Sequence, residues 1–80
     1  MRLPAWGMGA LTHWGAAIDE LWQQDAIDDK RRERLLDSLS RAVTTNNRRL
    51  FDYVRTEVIA IERRAYREAK KWTKDRLMQR

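Results

Sequence analysis

The chain has no cysteine, a single histidine (His13) and a single proline (Pro4), and its three glycines, Gly7, Gly9 and Gly15, all fall near the start. Without thiols, neither a disulfide nor a thiolate metal site reinforces an 80-residue chain, a size at which one core supplies only about 3–5 kcal/mol. The remaining routes to stability are well-packed helices and association. From Ala16 to Arg80 no residue breaks a helix by its backbone chemistry, since glycine and proline are both absent there. Long apolar runs are also missing. Leu3 to Ile18 is uncharged but holds Pro4, the three glycines, Thr12 and His13, and it falls short of the roughly 20 apolar residues of a spanning helix. Neither a membrane span nor a cleaved signal segment is expected.

What is present is periodicity. Leu36, Leu39, Val43, Asn47, Leu50, Val54, Val58, Ile61, Ala65, Ala69 and Trp72 follow one another in steps of three, four and four. That spacing marks a helical stripe with one polar interruption, at Asn47. Upstream, Leu11, Trp14, Ile18, Leu21 and Trp22 share a second helical face. The spacing predicts helices over about 10–25, 29–43 and 48–78, preceded by an irregular Trp/Gly-rich N-terminal arm over residues 1–9. Residues 10–80 then form a single helical domain. Gly15, inside the first helix, suggests close approach of another backbone there. Asp28 and Asp29 are candidate N-caps.

Thr44-Thr45-Asn46-Asn47 groups four weak helix formers, two of them favoured in turns. The uninterrupted phase allows one continuous long helix in a coiled-coil oligomer, with Asn47 as a registry residue. Charge favours reversal. Residues 1–29 carry Arg2 against Asp19, Glu20, Asp25, Asp28 and Asp29, whereas residues 62–80 carry eight cations against Glu62, Glu68 and Asp75. Folding at Asn46 lays the acidic stretch 19–29 on residues 63–73, with Trp22 near Ala69–Trp72. The fold expected is therefore all-α: an antiparallel helical hairpin with a long C-terminal helix.

Chemistry is hard to build from these residues. His13 lacks a partner nucleophile, Ser38 and Ser40 lack a base, and the acids at 25–33 are interspersed with Lys30, Arg31, Arg32 and Arg34, which oppose a cation. No enzyme activity, cofactor, metal or small-molecule substrate is expected. Two surfaces stand out instead. Phe51, Ile59 and Tyr66 lie off the main stripe of the last helix and widen its apolar arc beyond what a two-helix hairpin covers. With Trp6, Met8 and Trp14 they form the candidate partner-binding set, Trp6 serving as an anchor inserted into a partner's groove.

Arg63, Arg67, Lys70 and Lys74 form a ridge opposite the stripe that no acid shares, a candidate phosphate-binding surface. Arg64 and Lys71 fall on the flank, placed to serve the acidic arm. The composition thus points first to a non-enzymatic helical protein-protein interaction or assembly protein, self-associating or docking into a larger complex. A small viral or secretion-type particle subunit, or a host-directed inhibitor, fits that description. A cytoplasmic location, or one within such a particle, follows from it. Nucleic-acid binding through the basic ridge is the alternative.

Overall fold

The computed structural model describes residues 3–78, with side chains as far as Lys71. It forms three helices: α1 (Gly7–Gln23), α2 (Asp29–Thr44) and α3 (Arg48–Met78). Among the described residues there is no strand. The chain reverses at Thr45–Asn47 rather than continuing as a rod, so α2 and α3 form the antiparallel hairpin with a long C-terminal helix. It also reverses at Gln24–Asp28, and α1 folds back along α2. Each helix touches the other two, α1 and α3 least extensively. At 1.5 Å per residue α2 is about 24 Å long and α3 about 46 Å, so roughly the last 20 Å of α3 runs past the end of α2. The molecule measures 58 × 21 × 17 Å as a result. None of the described helices is long and apolar enough to cross a membrane.

Both reversals are built the same way. After α1, the N–H of Ala26 bonds the carbonyl of Leu21 and that of Asp25 bonds Trp22, with Asp25 at φ 61°. After α2, the N–H of Asn47 bonds Ala42 and that of Asn46 bonds Val43, with Asn46 at φ 51°. These are Schellman turns in which aspartate and asparagine occupy the left-handed position that glycine usually fills. The following helices are then capped by side chains. Asp28 accepts from the Arg31 N–H (2.8 Å) at the start of α2. Asn47 accepts from the Leu50 N–H (3.1 Å) at the start of α3. The polar break in the apolar stripe is thus a helix cap, and the turn needs no glycine or proline.

The core draws on all three helices. Ile18 from α1, Leu39 and Val43 from α2, and Val54 and Val58 from α3 are its fully buried large side chains. Ile27 tucks in from the first turn. Each such side chain contributes about 1.5–3 kcal/mol of burial. The ion pairs Arg31–Glu57 (2.6 Å) and Arg32–Asp19 (2.8 Å) tie α2 to its neighbours, yet both remain about a third exposed or more. Exposed pairs are worth at most about 1 kcal/mol, so the apolar stripe, not the charge pattern, holds the bundle.

Three local expectations are corrected. The N-terminal arm is shorter than nine residues, because the Gly7 N–H bonds the Pro4 carbonyl (2.8 Å) and α1 begins at Gly7. Gly15 faces open space, whereas a Cβ on Gly7 would lie 2.6 Å from Val43 Cγ1, so the close helix approach is at Gly7. The acidic stretch borders α3 only at Glu20, Leu21 and Gln24, across a groove from Ala65 and Ala69, and among the described residues it makes no ion pair with residues 63–71. The reversal at Gln24–Asp28 lays α1 along α2, where Asp19 pairs with Arg32. There Trp22 donates to Asp29 (2.7 Å) beneath the Arg32 guanidinium, 4.5 Å from its ring centroid.

Candidate protein interface

The six residues proposed for partner binding separate into two groups. Trp6, Trp14 and Phe51 meet at the end of the bundle closed by the Thr45–Asn47 turn. Phe51 is buried, with the Trp6 ring 5.0 Å away and tilted, and Trp14 edge-on at 6.3 Å. Trp6 Nε1–H donates to Asn46 Oδ1 (2.9 Å), and the Arg48 guanidinium lies over Trp6 at 4.9 Å. His13 packs edge-on against Trp14 at 5.0 Å. These aromatics seal the core and tether the start of the chain to the turn.

Phe51 therefore does not belong to an uncovered surface, and Trp6 is not a free anchor. The widened apolar arc of α3 has two helices to cover it rather than one, and Trp14 of α1 covers it at Phe51. Met8 remains 65% exposed on the outer side of α1, away from this cluster's interior.

Ile59 and Tyr66 sit farther along α3, toward the end where that helix outruns α2. Tyr66 is 68% exposed and Ile59 half-buried. With Glu62, Arg63 and Arg67 they line a shallow depression of about 380 Å³. Tyr66 and Glu62 also form one wall of a second groove, about 270 Å³, between α1 and α3. Ala17, Ala65 and Ala69 supply small side chains to it, Leu21 supplies a buried apolar one, and Glu20 and Gln24 form its polar rim.

The two depressions make one surface: an alanine-lined hole beside a projecting tyrosine. Ala17, Leu21 and Ala65 were not singled out by sequence reasoning as binding residues. Their signal is the continuation of the α3 stripe at Ala65 and Ala69, where small residues leave a gap opposite α1.

The basic ridge divides at the limit of the described side chains: Arg63, Arg67 and Lys70 lie within it, and Lys74 lies outside, as do Trp72 and Asp75. Arg63, Arg64, Arg67, Lys70 and Lys71 are all exposed. Each ion pair among the described residues joins groups between Asp19 and Glu57, so none neutralises these five. Arg64 and Lys71 pair with none of the acids at 19–29, of which Asp19 pairs with Arg32 on α2.

No cluster of three His, Cys, Asp or Glu side chains able to hold a metal occurs among the described residues. No family model matches the chain, and neither a curated protein nor a solved structure matches it.

Proposed function

We propose that this protein is a non-enzymatic helical interaction protein that associates through the surface where α3 passes the end of α1. The observation that carries this reading is the pairing of Tyr66, 68% exposed, with the adjacent hole lined by Ala17, Leu21, Ala65 and Ala69. A knob and a hole on one patch are what a two-fold contact needs, because each copy then offers its knob to the other's hole. Small residues in the floor let a second helix approach closely, and an exposed tyrosine joins apolar area to a polar tip at low entropic cost. Self-association of this kind serves either a free-standing oligomer or a repeated unit within a larger particle.

Multi-angle light scattering of the full chain, at increasing concentration and in 1 M NaCl, tests the reading. An assembly larger than the monomer that persists in high salt supports it, and Tyr66→Asp, on an exposed site that leaves helicity unchanged, reduces the mass to the monomer. An oligomer that Tyr66→Asp leaves intact contradicts the assignment of this surface.

A further inference from the structure

We propose a second binding site on the same helix: Arg63, Arg64, Arg67, Lys70 and Lys71 bind the phosphate backbone of a nucleic-acid duplex, independently of its sequence. Three observations lead to it. At 100° per residue these five side chains occupy about a third of the circumference of α3, centred away from the buried Val54, Val58 and Ile61. Glu62 and Glu68 fall outside that arc on either side. All five cations are exposed. The four ion pairs of the described residues lie elsewhere, so none of them neutralises the arc's charge. Finally, the arc begins where α3 leaves the cover of α2. There α1 borders only the Glu62, Ala65 and Ala69 side of α3, and at 100° per residue the five cations point away from that side, leaving their face open to a phosphate backbone.

The arc also speaks to the kind of polyanion. Binding of a single strand relies on successive aromatic rings for base stacking. Tyr66 is the one aromatic flanking the arc among the described side chains, and it borders the arc rather than interrupting it. A helix lying in a membrane surface buries an apolar face in the lipid. In α3 the face opposite the arc is spent on the core through Val54, Val58 and Ile61. Charge alone remains, spaced along about 12 Å of helix from Arg63 to Lys71, and a duplex presents phosphates at that scale on both sides of its groove. None of the five cations reads a base by this geometry, so positioning without sequence preference follows.

The test is fluorescence anisotropy of a labelled random-sequence 24-base-pair DNA duplex, titrated with the 80-residue chain at several NaCl concentrations. Five phosphate contacts give a slope of log Kobs on log salt of about −4 to −5, a loss of about 500-fold between 50 and 200 mM NaCl. The variant Arg64→Gln/Lys70→Gln/Lys71→Gln, which leaves the depression beside Tyr66 untouched, removes three contacts, bringing the slope to about −2 and the salt effect to about tenfold. A control removes the same charge elsewhere: Lys30→Gln/Arg34→Gln/Arg49→Gln, three exposed positions outside the arc. It keeps the wild-type slope. Circular dichroism confirms that both variants are folded. No binding at 50 mM NaCl overturns the proposal, as does an equal loss of slope in the control, which assigns the effect to net charge. Tighter binding to phosphatidylserine vesicles than to the duplex at equal ionic strength also overturns it, in favour of a membrane surface.

Discussion

Replacing glycine by alanine should have opposite effects at two sites in the same helix, and the structure gives the size of each. Gly15 lies in the interior of α1, and a methyl group added there would meet nothing within 4 Å. Alanine at this position gains helix propensity, about 0.5–1 kcal/mol. Gly7 is buried at the first position of α1, and its Cβ would sit 2.6 Å from Val43 Cγ1. Carbon atoms rest about 3.5–4.0 Å apart, so one group must retreat by about an ångström. Val43 is fully buried on α2, and a β-branched side chain in a helix has one favoured rotamer. The start of α1 must move instead, loosening Trp6 from Phe51 and Asn46.

Overpacking of this kind costs about 1–3 kcal/mol. In a domain of this size 1 kcal/mol is about 4–8 °C in Tm. Thermal unfolding followed by circular dichroism should therefore show Gly15→Ala melting a few degrees higher than wild type and Gly7→Ala roughly 4–24 °C lower. Val43→Ala removes the clashing methyl, so in that background Gly7→Ala loses most of its penalty. If Gly7→Ala raises Tm as Gly15→Ala does, the close packing of α1 on α2 is wrong.

The turns and the aromatic seal offer further tests. Asp25→Gly relieves a left-handed residue whose side chain bonds nothing among the described groups and should stabilise the fold by about 0.5–1 kcal/mol in urea unfolding. Asn46→Gly relieves the same backbone strain but deletes the acceptor of Trp6 Nε1–H, so it should gain nothing and should shift the tryptophan emission. Asp28→Ala removes the cap on the Arg31 N–H and should cost about 1 kcal/mol, read as a lower urea midpoint with an unchanged m-value.

Much of the fold was legible because it rests on local chemistry. The stripe from Leu39 to Ile61 defines the α2–α3 seam, Asp28 and Asn47 fit caps, and four weak helix formers place the reversal. Less legible were features that depend on which helix lies beside which. Gly7 and Gly15 are alike in sequence, and only the crossing of α1 over Val43 distinguishes them. The helical spacing put Phe51 beyond a two-helix seam, but Trp14 of α1 and Trp6 cover it. Opposite charges suggested that residues 19–29 pair with residues 63–73. Leu21 and Gln24 do border Ala65 and Ala69, but no ion pair joins the described parts of the two segments, since exposed charge pairs are too weak to choose a topology. A Schellman turn at Asp25, with no glycine to announce it, reverses the chain first. For the candidate interface, Ile59 and Tyr66 could be read from the wheel. The hole beside them could not, since Ala17 and Leu21 reach it only after α1 folds back.

The association surface is tested most directly by light scattering on the wild-type chain alongside Ala65→Glu, which fills the hole lined by Ala17, Leu21 and Tyr66. A salt-resistant oligomer is expected for the wild type and a folded monomer for the variant. A wild-type chain that is monomeric at every concentration, or an Ala65→Glu protein with unchanged mass, would contradict association through this surface.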